Sequence, residues 1–226
     1  MIYRPTALFR RARHIFQTEG LIPLLRTAFN FLAPYLFQYD TYYLYEHVVK
    51  ERKEADFMPT IQGFTVHIVT SNEQADKLAA DGFDPRSHSV YTRGRLDKGA
   101  IAVCILIGRE LAHIGWMAMS QEAKDTFDSL PYKVDFSHKE ACTGATVTIP
   151  KYRGNGLMTY GYFKRFQYLW ERGITISRNA VATNNIASQR VHAKFGPRIY
   201  ARARYLKVLK WKFWKEKAIT PSGHQE

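Results

Sequence analysis

A glycine-containing turn is the feature of this 226-residue sequence with the clearest chemistry. The chain reads V-T-I-P-K-Y-R-G-N-G from Val147 to Gly156, and a run with helical periodicity follows from Leu157 to Arg172. This pattern predicts a strand, a turn and a helix in that order. Glycines let the backbone approach a ligand closely, and a helix N-terminus presents free N–H groups and the positive end of its dipole. The turn is therefore predicted to bind an anion, most often a phosphate.

A second segment makes this prediction more specific. From Val181 the chain reads V-A-T-N-N-I-A-S-Q-R-V-H-A-K-F-G. Together the two segments resemble the GNAT superfamily of acyl-CoA N-acyltransferases, over roughly residues 57–215. Residues 153–158 lie over that family's pyrophosphate loop, Arg/Gln-x-x-Gly-x-Gly/Ala. The motif of its later helix is matched at Asn185, Ser188, Val191, Lys194 and Gly196.

The resemblance implies that acetyl-CoA, or another acyl-CoA, is the co-substrate and that its pyrophosphate binds at the turn. The binding groups would be the Arg153 side chain and the backbone of Gly154, Asn155, Gly156, Leu157 and Met158. Backbone groups near Val147 and Thr148 would face the pantetheine and the thioester oxygen, and Asn185 would contact the far end of the pantetheine.

Four residues depart from the family's pattern. Met158 stands where the loop usually ends in Gly or Ala, Thr148 replaces an apolar strand residue, and Pro197 replaces a phenylalanine. His192 replaces the tyrosine that often protonates the departing thiolate in this family. An imidazole with an ordinary pKa of about 6.5 donates a proton near neutral pH, so His192 is the candidate general acid.

The strand before the turn contains the candidate general bases. If residues 134–149 form a regular strand, His138, Glu140 and Cys142 share one face, because side chains alternate with a period of two. The family often places a glutamate on this strand near the register of Cys142, which makes Glu140 the first candidate and His138 the second. Proton transfer through water is the alternative. Cys142 could instead carry the acyl group covalently, but the sequence shows no arrangement of His and Asp that would activate it.

Three arginines fall where the resemblance implies an acceptor pocket, and they could hold a carboxylate or phosphate of the substrate. They are Arg86, Arg93 and Arg95. The acceptor itself is expected to be an amine on a small molecule or a peptide. Solvated loop arginines are the alternative interpretation.

The hydrophobic pattern predicts the elements that position these residues. Strands are predicted at 64–69, 100–107, 111–119, 134–149, 174–182 and 199–214, with helices at 72–80, 157–172 and 185–194. This order predicts a mixed α/β layered domain. The resemblance implies a GNAT-like fold with a central, mostly antiparallel, V-splayed sheet flanked by helices. The predicted division is an amphipathic, basic helical appendage over 1–55, the acyltransferase domain over 56–217 and a flexible tail over 218–226.

The composition favours an anionic partner but does not identify which one. A formal charge of +13 and a pI near 9.7 favour an anionic partner such as CoA, a membrane surface or nucleic acid, the last being less favoured. Only two cysteines occur, which indicates a reducing compartment and hence the cytoplasm, and no ligand spacing indicates a metal site.

Two stretches of the sequence, each rich in both basic and apolar residues, are compatible with several kinds of partner. Residues 1–37 combine arginines with an apolar stripe, which fits packing on the domain, a homodimer contact or a helix lying at a membrane surface. Residues 198–217 interleave Lys and Arg with Trp, Tyr and Phe, as in a last strand, a nucleic-acid surface or a membrane-interface belt. The alternative function is therefore a GNAT-fold binding module without catalysis, attached through these stretches to nucleic acid or an anionic membrane.

Overall fold

The computed structural model describes residues 20–23, 37–83, 85 and 92–219. Its strands are β1 Phe37–Val48, β2 Phe64–Val69, β3 Ile101–Ile107, β4 Glu110–Ala118, β5 Glu140–Thr148, β6 Ile176–Ala182, β7 Arg198–Val208 and β8 Trp211–Ala218. Its helices are α1 Asn72–Ala80, α2 Thr92–Asp97, α3 Gln121–Asp125, α4 Leu157–Trp170 and α5 Ile186–Ala193. Short 3-10 turns lie at Glu54–Phe57, Phe136–His138 and Pro150–Tyr152.

In the described part of the chain, the eight strands form one sheet in the order β2-β3-β4-β5-β6-β1-β7-β8. Strands β2 to β5 are antiparallel neighbours, whereas β5 and β6 are parallel. The β5–β6 pairing extends only from Glu140↔Ile176 to Cys142↔Arg178, although both strands continue beyond it. Beyond this pairing β5 and β6 separate, and a gap lies between them. The predicted mixed fold with a mostly antiparallel, splayed sheet is confirmed.

The prediction of a helical appendage is wrong for residues 37–48. They form β1, which pairs antiparallel with β6 from Tyr42↔Ala182 to Val48↔Ile176. Four tyrosines lie in this stretch, and aromatic residues favour strands when they can pack on a half-buried sheet surface. The pairing partner is more than a hundred residues away in the chain, so local helical spacing could not reveal it. The rest of the predicted appendage before β1 lies outside the described residues, apart from 20–23.

Most of the other predicted elements are confirmed, with three local differences. Residues 92–97 of the predicted loop form α2, and the last extended region is a hairpin, β7–β8, with a turn at Leu209 and Lys210. The stretch 134–149 is not a regular strand, because a 3-10 turn and a left-handed Lys139 (φ 60°) precede β5.

Helix α4 is the main element on one face of the sheet and packs against β3, β4 and β5. Most of its side chains are buried, and Phe163, Phe166 and Leu169 contribute to an apolar core with β3 residues such as Val103 and Ile105. Burial of an aromatic-rich helix face of this kind is the dominant stabilising contribution. The core therefore holds the first turn of α4 against the end of β5.

The chain divides into two compact units. The larger consists of Tyr42–Ala203 and Glu216–Glu226, and it contains all the described candidate site residues. The smaller consists of Met1–Thr41 and Arg204–Lys215, and its described part includes the tip of the β7–β8 hairpin. None of the helices in the described ranges is both long and apolar enough to cross a bilayer.

Candidate functional site

The predicted anion-binding turn connects β5 to α4 and depends on two glycines in the left-handed backbone region. Gly154 has φ 85°, and Gly156 has φ 79° and caps the N-terminus of α4. Residues with a Cβ are strained in this region. A Cβ on Gly156 would also lie 3.4 Å from the backbone Cα of Pro59. The neighbouring Thr60 N–H donates to the Asn155 carbonyl over 3.1 Å, which fixes the turn against the segment before β2.

The turn presents several hydrogen-bond donors in one place. The first backbone hydrogen bond of α4 runs from Tyr160 N–H to the Gly156 carbonyl over 3.0 Å. The N–H groups of Leu157, Met158 and Thr159 therefore have no partner within the helix. The first turn of α4 contains no acidic residue that would repel an anion. A fourteen-residue helix with these free donors suits a phosphate or pyrophosphate group.

Arg153 adds a cation next to these donors. Its side chain is exposed, and its Nε donates to the Thr148 carbonyl over 3.2 Å. The predicted residues Arg153, Gly154, Asn155, Gly156, Leu157 and Met158 are thus brought together around the start of α4. Met158 is partly buried against the apolar core.

The last residues of β5 face the gap between β5 and β6. The Ile149 N–H bonds to the Ala112 carbonyl on the β4 side. Because backbone groups alternate in direction along a strand, the N–H and carbonyl of Thr148 point to the opposite side, into the gap. The Thr148 hydroxyl instead lies 2.8 Å from Nδ1 of the buried His113, which gives this hydroxyl a partner.

Strand β5 also bends at this point. Ile114 pairs with Val147 but Trp116 pairs with Gly144, so β5 has one extra residue there and forms a bulge. Ala145 in the bulge has φ 42°, which is uncommon for a residue with a side chain. Val147, two residues after Ala145, is half-exposed, so the bulge aims this part of β5 away from the regular sheet.

A cavity of about 320 Å³ opens beside the bulge. Its lining residues come from β4, β5, α2 and the loop before α2, and they are Pro85, Thr92, Arg95, Ile114, Trp116, Ala145, Thr146 and Val147. The Arg95 guanidinium lies 5.0 Å from the centre of the Trp116 ring, and burial lowers the pKa of Arg95. Among the described residues that line the cavity, Arg95 is a cation and none is a carboxylate or an imidazole, so this part of the lining suits an anionic group.

The other two arginines predicted for an acceptor pocket are placed differently. Arg93 is exposed and forms an ion pair with Asp76 over 2.9 Å. Arg86 lies outside the described residues. Of the two arginines that the structure describes, Arg95 lines the cavity and Arg93 does not.

His192 is buried, which contradicts its predicted role as the general acid. Its side chain has no exposed area, its Nδ1 lies 3.0 Å from Nε2 of His47, and its Nε2 lies 3.0 Å from the amide nitrogen of Asn179. Burial, and then the charges of His47 and Arg165, hold the pKa of His192 well below its usual value. A general acid must reach the reacting atom, and this imidazole is neutral with both nitrogens occupied.

Glu140 and His138 lie away from the gap, so the predicted general-base roles are not supported by their positions. Glu140 is at the start of β5, where the strands are still paired, and its two carboxylate oxygens accept from Arg178 over 2.8 Å each. His138 is exposed in the 3-10 turn, 2.9 Å from an Asp135 carboxylate oxygen. The predicted shared face fails because this turn precedes β5.

Cys142 is buried in the fold, and Asn185 caps helix α5. Burial raises the pKa of the Cys142 thiol to about 12, so the covalent alternative lacks a reactive thiolate. The Asn185 side chain accepts from the Ser188 N–H over 3.1 Å and caps α5. Its contact with a ligand stays a prediction.

A buried arginine beneath the bulge was missed by sequence reasoning. Arg165 of α4 is fully buried and donates to the Trp116 carbonyl and the Thr146 hydroxyl, over 3.4 Å and 3.1 Å. None of the carboxylates in the described ranges forms an ion pair with it. Gly115 makes room for this guanidinium, since a Cβ there would lie 2.7 Å from its central carbon. A glycine in an apolar strand was the signal for this close approach.

Neither a family profile nor any curated protein matches the sequence, but solved structures match the fold. One is a GCN5-related glucosamine N-acetyltransferase region of a fungal multi-domain GH3 β-N-acetylglucosaminidase, with a TM-score of 0.51 and 13% identity over 80% of this chain and 22% of that chain. Others are an acetyltransferase of the GNAT family from Colwellia psychrerythraea (TM-score 0.48, 15% identity, 79% of this chain, 56% of that chain) and a GCN5-related N-acetyltransferase from Sphaerobacter thermophilus (TM-score 0.48, 12% identity, 87% of this chain, 57% of that chain).

This chain spans less than two thirds of the length of each of these three proteins. At such low identities the likeness establishes the fold and no finer property. The chain has the GNAT fold, as its two motifs predicted.

Proposed function

We propose that this chain, whose fold is that of the GNAT acyltransferases, transfers an acetyl or longer acyl group from acyl-CoA to a primary amine. The observation that carries the proposal is the combination of a splayed β5–β6 pair with a donor-rich turn at the start of α4. In the gap the end of β5 has no strand partner on the β6 side, and the turn offers an anion site directly after it in the chain. The low-identity structural matches support the fold on which this arrangement depends.

The residues of the turn fit the pyrophosphate of CoA. Positive φ angles at Gly154 and Gly156 let backbone N–H groups approach an anion, and Arg153 adds a positive charge. The Thr148 N–H faces the gap, where an extended pantetheine arm would meet the backbone, whereas the Thr148 carbonyl already accepts from Arg153 Nε. When bound, acyl-CoA supplies an acyl group activated as a thioester.

The proposed reaction is direct attack in a ternary complex. The amine nitrogen bonds to the thioester carbon, the carbon–sulfur bond breaks, the nitrogen loses a proton, and the thiolate gains one. The Thr148 N–H is our candidate donor to the oxygen that becomes negative in the transition state. Because none of the described lining residues is a carboxylate or an imidazole, we propose that water carries the proton away from the amine.

The cavity indicates which amines would be preferred. Arg95 points to an acceptor that carries a carboxylate or phosphate in addition to its amine, since the guanidinium binds both groups well. A nearby cation also disfavours the ammonium form of the acceptor, which lowers its pKa and increases the reactive fraction.

Ligand binding tests the turn separately from catalysis. We expect CoA and acyl-CoAs to raise the melting temperature, because a ligand at a hundred times its Kd contributes about 2.7 kcal/mol. For a protein of this size that corresponds to roughly 5 to 10 °C. The Arg153→Ala variant should show a smaller shift, whereas Arg202→Ala, which removes an equally exposed arginine from β7, should behave like the wild type. The absence of a shift with any CoA ester would refute the proposed site.

Release of free thiol from acetyl-CoA tests the reaction. Screening amines with and without a carboxylate or phosphate should identify anionic acceptors, and Arg95→Gln should raise KM for these more than Arg93→Gln does. CoA binding without thiol release for any amine would favour the non-catalytic binding module instead.

A further inference from the structure

The tip of the β7–β8 hairpin has an unusual composition. Its twelve residues, Arg204–Lys215, read R-Y-L-K-V-L-K-W-K-F-W-K. Every residue is cationic, aliphatic or aromatic, and none is acidic. This segment belongs wholly to the smaller unit.

The pairing of the two strands divides these residues between two faces. A two-residue turn makes Val208 face Trp211, and the Tyr205–Trp214 ring contact, with centroids 6.3 Å apart, agrees with this register. Side chains alternate along each strand. One face of the tip therefore holds the Tyr205–Trp214 pair with Lys207 and Lys212, and the other holds Arg204, Leu206, Val208, Trp211, Phe213 and Lys215.

The second face is graded from apolar at the turn to cationic below it. Val208 and Trp211 are next to the turn, Leu206 and Phe213 follow, and Arg204 and Lys215 come last. Trp211 is 62% exposed and Phe213 is 55% exposed. Such exposure of large apolar side chains marks an interaction surface when they form a group.

The turn residue Leu209 is more than half exposed and has φ 55°. Glycine or asparagine usually takes this position, because a left-handed backbone costs a branched, apolar residue stability. An exposed leucine that strains its own turn is explained by contact with a partner rather than by folding.

The charges identify the chemistry of that partner. Five cations (Arg204, Lys207, Lys210, Lys212, Lys215) and no acid would repel a second copy of the same hairpin. Nucleic acid would satisfy the cations, but Leu206, Val208 and Leu209 have no aromatic face on which a base could stack. A bilayer with anionic headgroups accommodates both features, since lysines lie at the headgroups while aliphatic and aromatic tips enter the interface.

We propose that the β7–β8 tip attaches this protein to the surface of an anionic membrane. Leu209, Trp211 and Phe213 insert at the level of the upper acyl chains. The cations of that face and of the turn, Arg204, Lys215 and Lys210, contact lipid phosphates and carboxylates.

Co-sedimentation of the full chain with vesicles tests the proposal. Phosphatidylcholine mixed with phosphatidylserine should bind the protein at low salt, and phosphatidylcholine alone should bind it far less. Neutralising Lys210 and Lys215 with glutamine should weaken binding by about fivefold per charge. Trp211→Ser with Phe213→Ser should reduce binding at least as much, whereas Trp170→Ser, an exposed tryptophan on α4, should leave it unchanged.

Leu209→Asn separates the proposal from damage to the fold. Asparagine suits the positive φ, so this variant should melt at an equal or higher temperature and yet bind anionic vesicles several-fold more weakly. Unchanged vesicle binding by Leu209→Asn and by the double serine variant would overturn the proposal. It would also be overturned if a single-stranded oligonucleotide bound more tightly than the vesicles and lost affinity with Trp211 but not with Leu209.

Discussion

Replacing Gly161 with alanine should destabilise the protein, even though alanine is the better helix former. Gly161 lies in the middle of α4, where its backbone is ordinary and an exposed glycine-to-alanine change would gain up to about 1 kcal/mol. At this position, however, the new Cβ would lie 2.3 Å from Nε2 of His113. Carbon and nitrogen atoms in contact are normally about 3.5 Å apart, so the imidazole must move by about an ångström.

The cost of that movement follows from what His113 contacts. It is fully buried on β4, and its Nδ1 lies 2.8 Å from the Thr148 hydroxyl. Overpacking a core costs about 1–3 kcal/mol, and a lost buried hydrogen bond costs about 1–3 kcal/mol more. After the helical gain is subtracted, a net loss of about 3 kcal/mol is expected, or roughly 6 to 12 °C in melting temperature for a chain of this length.

A double-mutant cycle measured by thermal and urea unfolding tests this reasoning. In a His113→Ala background the clash is absent, so Gly161→Ala should become neutral or stabilising, and the two changes should be coupled. Gly94→Ala in α2 is the matched control, because a Cβ there meets nothing within 4 Å. Equal effects of Gly161→Ala in both backgrounds would refute the proposed contact between α4 and β4.

Three further predictions follow from the buried groups. Burial and the Arg165 charge lower the pKa of His113 to about 3, and burial with neighbouring arginines does the same for His47. Since the unfolded chain binds these protons below pH 6.5, these two histidines alone should lower the free energy of unfolding by about 2 kcal/mol between pH 6 and pH 5, measured by urea titration. Burial raises the pKa of the Cys104 and Cys142 thiols to about 12, so a thiol probe should label the native protein only at its rate of opening. Replacing His192 with Phe should lower the melting temperature by leaving His47 and Asn179 unpaired, while turnover per folded molecule should change little.

Most of the fold and the geometry of the glycine turn before α4 were predictable because their signals are local. Alternation in 64–69 and in the 100–119 hairpin, and helical spacing after Gly156, each lie within one element. The turn itself needs only glycines at the positions with positive φ. By contrast, β1 joins the sheet through a partner strand near the other end of the sequence, and nothing within Phe37–Val48 specifies that pairing.

The catalytic assignments failed for a different reason, which is their dependence on register. The argument for His138 and Glu140 required an unbroken strand, and one left-handed residue, Lys139, removes His138 from it. Likewise, the position of His192 within a sequence motif gave no information about whether its side chain is buried. Its environment is set by His47 and Asn179, which lie on β1 and β6.

Two buried polar side chains, Arg165 and His113, explain why glycine is required at positions 115 and 161. Arg165 needs the missing side chain of Gly115 on β4, and His113 of β4 needs the missing side chain of Gly161 on α4. Each element thus supplies one large polar side chain and one gap for the other, which fixes the position of α4 along the sheet. Arg165 then donates to Thr146 and His113 contacts Thr148, so both act on the segment of β5 that faces the gap. The start of α4 and the end of β5 are therefore held in register by the same contacts, which is the requirement for an anion at one to be placed correctly for chemistry at the other.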